Sequence, residues 1–287
     1  MRLLSIAGLQ ASPVFGDPDA TLHRMAERVA RVRAVVPRVQ LVMFPELHLP
    51  ALRPVLEPHG ESPAELAVDV PGPLTERLGE IARDNGVWLV PGSVYERGEG
   101  DGIHNTCLVL SPEGELAASY RKVFPWQPHE SSAPGDRFTT FDVPEVGRIG
   151  LSICYDGSFP ETCRQLAWMG AEVVLQPTLT TTSDRNQELV MARANAIFNQ
   201  LYVVSLNAAA PTGLGRSLIV DPEGIVRHQS GAAEETITDV LDLDAVTRVR
   251  ELGLAGVSRM FDQIQRYGDD PPGWLDQPTL PVRAIRR

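Results

Sequence analysis

Short apolar runs alternate with segments of helical periodicity along most of this sequence. Residues 3–9 are mostly apolar and predict a buried strand. In residues 18–35 the apolar side chains recur every three or four positions, which predicts a helix. The same alternation returns in the second half, where a predicted strand at 148–153 precedes another helix. Strands that alternate with helices favour an α/β architecture in which helices cover the sheets.

The other predicted elements extend this alternation over both halves of the chain. No long Gly/Ser linker, charge run or exact internal repeat divides them, so we predict a single domain. Asp19 or Thr21 is expected to cap the first helix, and Ser158 and Glu161 have the spacing of a capping box. The remaining strands are predicted at residues 40–44, 87–90, 105–110, 115–120, 172–175, 202–206, 217–220, 225–228 and 236–241, and the remaining helices at residues 74–84, 158–169, 184–199 and 244–266.

The charge balance argues against two kinds of partner. The chain carries 26 Lys and Arg against 37 Asp and Glu, a formal net charge of −11. Because phosphate backbones and anionic lipid surfaces repel an acidic protein, we expect neither nucleic acid nor a membrane as its partner. No apolar run approaches the roughly 20 residues that span a bilayer. The start of the chain superficially resembles a signal peptide, but Ser5 and Gln10 interrupt it, and it leads directly into the first strand.

The cysteines indicate a reducing environment. Cys107, Cys154 and Cys163 are odd in number and lack the spacing of metal ligands. We therefore expect neither a disulfide framework nor a zinc site. One useful thiol in a reducing, cytoplasmic compartment fits this pattern better.

Three reactive residues stand just past the carboxyl ends of predicted strands. Glu46 follows residues 42–45, Lys122 follows the strand that ends near Tyr120, and Cys154 follows the strand at 148–153. Open α/β sheets usually place their chemistry just past the carboxyl ends of strands. These positions therefore predict a site that combines a carboxylate, an ammonium and a thiol.

Acyl transfer is the chemistry that needs these three groups together. A neutral thiol is a poor nucleophile, so Cys154 needs a base, and the buried carboxylate of Glu46 can take its proton. The Lys122 ammonium, with the backbone N–H of Tyr155, can stabilise the oxyanion of a tetrahedral intermediate. The start of a helix after Cys154 is also expected to favour a thiolate.

Each of these residues also has an ordinary interpretation. A Glu after Pro at a strand end is usually a solvated loop residue, and a lone Cys is more often a small buried hydrophobe. Lys122, beside Arg121, would by default be a surface charge. What favours a catalytic role is the occurrence of all three residues together, each within flanking sequence that also fits such a site.

At these residues the chain resembles the nitrilase, or carbon–nitrogen hydrolase, superfamily. The matching motifs are Phe-Pro-Glu at 44–46, Tyr-Arg-Lys at 120–122 and Cys-Tyr-Asp-Gly-Ser-Phe-Pro-Glu at 154–161. The segment Ala-Arg-Ala-Asn-Ala at 192–196 looks like a later landmark of the same family. The resemblance covers roughly residues 1–266, with the motifs in the expected order.

The resemblance implies a four-layer α-β-β-α sandwich over residues 1–268. It also implies homodimers or higher homo-oligomers, formed by packing helical faces together, and neither a metal nor an organic cofactor. Residues 269–287 are Pro-rich and lack clear periodicity. They are expected to be either a frayed tail or an arm that lies on a partner subunit.

The run that follows Lys122 is the sharpest clue within the superfamily. Residues 125–130 read Pro-Trp-Gln-Pro-His-Glu and look like the aliphatic amidases and formamidases. Glu130 then falls on the family's second active-site carboxylate, which would orient the substrate and balance the Lys122 charge; its ordinary alternative is a loop ion pair. Trp126 and Tyr155 would wall the acyl pocket, or be plain core aromatics.

Other residues depart from the amidase pattern. Residues 176–182 read Gln-Pro-Thr-Leu-Thr-Thr-Thr and look more like the carbamoylase and general amidase branches. Gln176 and Thr178 of this segment are expected to bind substrate. Leu47 stands where aliphatic amidases usually carry Tyr, and their long C-terminal extension is missing.

Some tempting residues near the motifs are given structural roles. Asp156 is expected to hold the turn after Cys154 by hydrogen bonds rather than contact a substrate amine. His48, His104 and His129 are not expected to be catalytic, because the family performs its proton transfers with Glu.

Three hypotheses follow for function. The first is a cysteine-dependent hydrolase of a small aliphatic amide, which releases ammonia through a thioester. The second is a carbamoylase or a nitrilase that uses the same residues. The third, of a different class, is a scaffold or binding protein that kept the fold and lost the chemistry.

Overall fold

Two mixed β-sheets form the centre of the protein. The computed structural model describes residues 1–51, 62–100 and 102–266, and within these ranges the strands divide into a first and a second sheet. The first sheet has the order β13-β1-β2-β3-β5-β4, with β6 beside β5, and consists of β1 (Leu3–Gln10), β2 (Leu41–Met43), β3 (Trp88–Val90), β4 (Ser93–Arg97), β5 (Ile103–Leu110), β6 (Leu116–Arg121) and β13 (Glu235–Asp242). The second has the order β12-β11-β10-β9-β8-β7 and consists of β7 (Thr140–Val143), β8 (Gly147–Leu151), β9 (Val173–Thr178), β10 (Tyr202–Asn207), β11 (Leu218–Val220) and β12 (Val226–Gln229).

The helices lie on the outer faces of the two sheets. Alternate residues of a strand point to opposite faces, and β1 shows the result: Leu4 and Ile6 enter the core between the sheets, whereas Ala7 and Leu9 pack with helices. The helices of the described residues are α1 (Pro18–Val35), α2 (Pro63–Leu66), α3 (Pro73–Asn85), α4 (Pro160–Trp168), α5 (Arg185–Asn199), α6 (Leu243–Leu252) and α7 (Met260–Arg266). Helices α1 and α3 cover the first sheet, and α4 and α5 cover the second. The predicted four-layer α-β-β-α sandwich is therefore confirmed.

Strand direction brings the ends of several strands to common edges. Strand β2 is parallel to β3, and two antiparallel pairings connect β3 through β5 to β6. Strands β2 and β6 therefore run in the same direction and end at the same edge of the first sheet. In the second sheet, β8, β9 and β10 are parallel, so the segments that follow them also meet at one edge.

Three short elements were not predicted from the sequence. Strands β4 and β7 and helix α2 have five, four and four residues. Strand β4 reads Ser-Val-Tyr-Glu-Arg and β7 reads Thr-Phe-Asp-Val. Each holds too few apolar residues to establish an alternation by itself.

The predicted helix at 244–266 is wrong as one element. Helix α6 ends at Leu252 because Gly253 follows with a φ of 91°, outside the helical region, while its N–H still bonds to the Val249 carbonyl. The chain then turns before α7 begins at Met260. The predicted tail at 269–287 lies outside the described residues, so the boundary at 268 stays a prediction.

Both predicted helix caps are also wrong. Helix α1 is capped by Asp17, whose carboxylate accepts a hydrogen bond from the Ala20 N–H at 2.8 Å. Asp19 instead pairs with Arg77, and Thr21 accepts a bond from Val14. The box at 158–161 does not form, because residues 154–158 make a 3-10 turn and α4 begins afterwards at Pro160.

No helix of the described ranges is both long enough and apolar enough to cross a membrane.

Candidate active site

Lys122 lies between two carboxylates. It follows β6, and its Nζ donates hydrogen bonds to Glu46 Oε1 at 2.9 Å and to Glu130 Oε2 at 2.7 Å. Glu46 follows β2 at the same sheet edge, and the side chains of Lys122 and Glu46 are only 2% and 4% exposed. The structure thus brings together these three residues that the sequence singled out.

Asn105 holds the same two carboxylates from the other side. Its Nδ2 donates to Glu46 Oε1 at 2.8 Å and to Glu130 Oε1 at 3.0 Å, and the residue is fully buried in β5. From the sequence, Asn105 was predicted only at the start of a strand, without this role. A polar side chain at the start of an otherwise apolar strand is the signal that could have found it.

The electrostatics of this group keep Lys122 protonated. Burial alone would lower the pKa of Lys122, but Glu46, Cys154 and Glu130 together raise it well above its ordinary value. Burial would raise the pKa of Glu130, yet Lys122 and the hydrogen bonds from Trp126 and Asn105 lower it. At neutral pH, Lys122 is therefore a cation that can donate hydrogen bonds to an oxyanion but cannot act as a base.

Cys154 lies at the start of the turn that follows β8. The turn is a 3-10 helix over Cys154–Ser158, and Cys154 itself has a φ of 45°, a region that non-glycine residues seldom adopt. Burial and the charge of Glu46 raise the pKa of the Cys154 thiol well above its ordinary value, and Lys122 only partly offsets them. These effects favour the neutral thiol over the thiolate that the helix start was expected to favour, and the need of Cys154 for a base stays a prediction.

Asp156 ties the turn after Cys154 to the segment around Lys122. Its carboxylate accepts hydrogen bonds from the N–H groups of Ile153 and Phe124, at 2.9 and 2.8 Å, and from the Tyr120 hydroxyl at 2.8 Å. Burial raises the pKa of Asp156 to about 6. The predicted role of Asp156 in holding the turn is confirmed.

The two residues of β9 that were expected to bind substrate have partners within the protein. Gln176 donates from Nε2 to the Cys154 carbonyl at 2.8 Å, so it supports the backbone of that residue. Thr178 is fully buried, and its hydroxyl donates to the Leu206 carbonyl at 3.3 Å. Their contact with substrate stays a prediction.

Two aromatic residues flank the charged group. Trp126 is half-buried, stacks on His129 with ring centroids 4.4 Å apart, and donates its backbone N–H to Glu130 at 3.0 Å. Tyr155, directly after Cys154, meets the Phe159 ring edge-on with centroids 5.2 Å apart. Their role as walls of an acyl pocket stays a prediction.

The three histidines have other surroundings. Burial lowers the pKa of His48 to about 3, so its ring is neutral at physiological pH. His104 approaches the Ala133 carbonyl at 3.0 Å, and His129 is exposed against Trp126. Among the hydrogen bonds of the described residues, none joins these rings to Cys154, Glu46 or Lys122.

A further polar group, which the sequence did not predict, contacts Cys154. Thr180 Oγ1 lies 3.9 Å from Cys154 Sγ and donates to the carboxylate of Glu188, which pairs with Arg185.

Within the described ranges, no three His, Cys, Asp or Glu side chains gather in a way that could hold a metal ion.

Comparison with known proteins agrees with this geometry. The model of the carbon–nitrogen hydrolase family matches residues 5–251, which is most of the chain. The chain belongs to the carbon–nitrogen hydrolase family. The family resemblance predicted from the motifs is confirmed. Members of this family hydrolyse carbon–nitrogen bonds with an active-site cysteine.

Curated members of the carbon–nitrogen hydrolase family include two kinds of amidase. The omega-amidase NIT2 of Homo sapiens is 33% identical over 204 residues, which cover 65% of this chain and 73% of that protein. A formamidase of Bacillus thuringiensis (strain Al Hakam) is 29% identical over 199 residues, which cover 69% of this chain and 59% of that protein.

Solved structures share the sandwich of this carbon–nitrogen hydrolase. Nit3 of Saccharomyces cerevisiae, a member of branch 10 of the nitrilase superfamily, has a TM-score of 0.77 and 28% identity and covers 87% of this chain and 94% of its own. An amidase of Nesterenkonia sp. AN1, solved with butyramide in a form whose cysteine is replaced by alanine, has a TM-score of 0.72 and 26% identity, with coverages of 86% and 94%.

Proposed function

We propose that this carbon–nitrogen hydrolase cleaves a short, uncharged aliphatic amide to ammonia and a carboxylic acid, through a thioester on Cys154. One observation carries the proposal: a buried ammonium, Lys122, is bonded to both Glu46 and Glu130, and the charges of Lys122 and Glu46 both act on the Cys154 thiol. These groups supply a nucleophile, a base and a donor for an oxyanion.

In the first half of the reaction, Glu46 takes the proton of Cys154 while the sulfur attacks the amide carbonyl. The negative charge that develops on the carbonyl oxygen is stabilised by the Lys122 ammonium and the Tyr155 N–H. The tetrahedral intermediate then expels ammonia, which leaves with the proton that Glu46 returns. The carbon–nitrogen bond breaks, and the acyl group stays on the sulfur.

In the second half, water replaces ammonia. Glu46 takes a proton from this water, which attacks the thioester carbonyl, and the same donors stabilise the second oxyanion. The carbon–sulfur bond breaks, the thiolate recovers the proton from Glu46, and the acid leaves. Glu130 stays ionised and balances the charge of Lys122 throughout.

Apolar side chains beside the site support an aliphatic substrate. Leu47 directly follows Glu46 and packs in a cluster with Tyr95 and Leu179. The Leu179 N–H lowers the pKa of Cys154, and the next residue, Thr180, lies beside its sulfur, so the cluster extends from the base to the nucleophile. Burial and the charges of Glu130 and Glu46 raise the pKa of the Tyr95 hydroxyl, which keeps this wall uncharged.

The charges at the site support an uncharged substrate. An omega-amide with a free carboxylate needs a cation to receive that carboxylate. In the ion pairs of the described residues, the cations at this site are Lys122, which faces Glu46 and Glu130, and Arg185, which faces Glu188. Both are already neutralised, so a substrate carboxylate would meet a site dominated by acidic groups.

A substrate panel tests the proposal. The chain and its Cys154→Ala form are incubated with formamide, acetamide, propionamide and butyramide, with a carbamoyl compound, a nitrile and an omega-amide that bears a carboxylate. Ammonia release and intact mass are followed. We expect ammonia from the short amides and a transient acyl mass on the unaltered chain alone. Preference for the omega-amide or the carbamoyl compound would replace the proposed substrate. No turnover and no adduct on any compound would favour a catalytically silent protein.

A further inference from the structure

A fixed hydroxyl group lies beside the sulfur of Cys154. Thr180 Oγ1 is 3.9 Å from Cys154 Sγ, and Thr180 is buried. The side chain of Asn207, at the end of β10, holds both backbone groups of Thr180: its Oδ1 accepts from the Thr180 N–H at 2.8 Å, and its Nδ2 donates to the Thr180 carbonyl at 3.2 Å. Asn207 therefore fixes the backbone of Thr180, and with it the position of the hydroxyl group, at the edge of the second sheet.

The proton of this hydroxyl is directed away from the sulfur. Both carboxylate oxygens of Glu188 lie within hydrogen-bond distance of Thr180 Oγ1, at 2.9 and 2.8 Å. An ionised carboxylate only accepts hydrogen bonds, so Thr180 donates to Glu188 and presents its oxygen lone pairs to Cys154.

Arg185 favours the ionised form of Glu188. The guanidinium is fully buried, donates to Glu188 Oε2 at 2.9 Å, and also bonds to Ser205 Oγ and the Arg216 carbonyl. A buried Arg stays charged and requires an anionic partner. Burial raises the pKa of Glu188, and Arg185 opposes that rise.

The charged groups that face Cys154 come from three elements. Glu46 follows β2, Lys122 follows β6, and Glu188 and Arg185 lie on α5. Of these, Glu46 and Glu188 raise the pKa of Cys154 in addition to burial, whereas Lys122 and the Leu179 N–H lower it. A thiol can donate its S–H to the Thr180 oxygen, but a thiolate in the same place would face lone pairs and a carboxylate.

We propose that Thr180 and Glu188 are positioning residues that hold the resting Cys154 thiol protonated, with its S–H directed at Thr180 and away from the base Glu46. The free enzyme then carries little thiolate, and the thiol proton passes to Glu46 only as the sulfur turns to attack. This inference rests on the proposed role of Cys154 as nucleophile.

Alkylation of Cys154 by iodoacetamide tests the inference without any substrate turnover. The rate is measured from pH 5 to 10 by intact mass, with Cys154→Ala as the blank for the buried Cys107 and Cys163. For Glu188→Gln we expect the midpoint of the profile to fall by about one pH unit, which corresponds to a roughly tenfold faster reaction below the midpoint. Thr180→Val should shift the midpoint in the same direction. Thr180→Ser keeps the hydroxyl and should retain the profile of the unaltered chain.

The outcomes separate the inference from the proposed function. Equal midpoints in all forms, or the same shift in Thr180→Ser as in Thr180→Val, would overturn the inference alone. If the unaltered chain is not alkylated at Cys154 at any pH, the proposed function fails as well. If Glu188→Gln does not fold, as judged by its thermal transition, the two Thr180 variants decide, because they leave the Arg185 pair intact.

Discussion

The ammonium of Lys122 lies 2.7 Å from Glu130 Oε2, although eight residues separate the two along the chain. The backbone returns between them so that the Glu130 N–H bonds to the Trp126 carbonyl and the Glu130 carboxylate accepts the Trp126 N–H. Hydrogen bonds within the loop and to Lys122 thus fix the position of the Glu130 carboxylate. A charge held this firmly can orient a substrate as well as neutralise an ammonium.

Replacement of this carboxylate should damage catalysis more than stability. Gln at position 130 keeps the size of the side chain but removes the anion that balances Lys122. We expect kcat/KM for the best short amide to fall by about 100-fold, the scale of a misplaced catalytic group, with a small change in the thermal midpoint. Steady-state kinetics and thermal unfolding of Glu130→Gln measure the two effects.

Glu96→Gln is a matched control for that variant. Glu96 is also a buried carboxylate, but it lies on β4, where it pairs with Arg121 at 2.7 Å and accepts a hydrogen bond from Thr106 rather than from a residue of the site. Its replacement should leave kcat/KM within about twofold. Equal losses of activity in the two variants would contradict a specific role for Glu130.

Asn105 should contribute to both stability and activity. In Asn105→Ala, Glu46 and Glu130 each lose a buried donor, so that Glu46 keeps Lys122 and Glu130 keeps Lys122 and the Trp126 N–H. An unsatisfied buried polar group costs about 1–3 kcal/mol, so urea denaturation should show a loss of this size in the free energy of unfolding. Activity should fall as well, because the Asn105 amide no longer fixes the positions of the two carboxylates.

Asn199→Ala provides the comparison for Asn105→Ala. Asn199 is equally buried and donates to the Asn195 carbonyl at 2.8 Å within α5. Its loss should destabilise the fold to a similar extent while kcat/KM stays near that of the unaltered chain. If Asn105→Ala is as active as Asn199→Ala, the amide of Asn105 has no part in the chemistry.

The sequence allowed some of the site to be predicted, and physical reasons explain the rest. Glu46, Lys122 and Cys154 each stand just past the end of a predicted strand, where α/β sheets usually place their chemistry, so a site that combines them could be predicted. Thr180 and Glu188 gave no such signal. Their contact with Cys154 joins a loop, a helix and a strand end from separate parts of the chain, and no local pattern records it.

The fold shows the same division between local and tertiary information. Long periodic segments such as α1 were predicted with their observed bounds, because an apolar stripe must face a core. Helix ends were less predictable, since Asp17 rather than Asp19 or Thr21 caps α1 and the sequence offers all three. The raised pKa of Cys154 also has no local signal, because its burial and the charge of Glu46 are tertiary properties.

Exposed apolar residues on α4 and α5 make a homo-oligomer testable. Trp168 is 51% exposed, Val190 68% and Phe198 51%. If copies of the chain pack through these helices, Phe198→Glu should lower the mass measured by sedimentation velocity. Val35→Glu is the control, because Val35 is 74% exposed on α1, across the sandwich. An unchanged mass in Phe198→Glu, or an equal change in both, would contradict an interface at α4 and α5.

The buried carboxylate of Asp156 should make stability depend on pH in an unusual direction. Its pKa is raised from 3.8 to about 6, so between these values the folded state binds more protons at this group than the unfolded state. The contribution of Asp156 to the free energy of unfolding therefore decreases as pH rises from about 4 to about 6, by on the order of 3 kcal/mol. Urea unfolding of the unaltered chain and of Asp156→Asn, compared over pH 4–7, isolates this contribution.

Asn at position 156 does not titrate, so the difference in unfolding free energy between the two forms should change steadily across that window and level off above it. Asp142→Asn is the control: Asp142 is exposed and paired with Arg148, and its pKa is lowered rather than raised. Its contribution should be fully present above its unfolded pKa and be lost only as pH falls below that value, the opposite direction. Parallel pH profiles for Asp156→Asn and the unaltered chain would show that the three hydrogen bonds to Asp156 offset its burial completely.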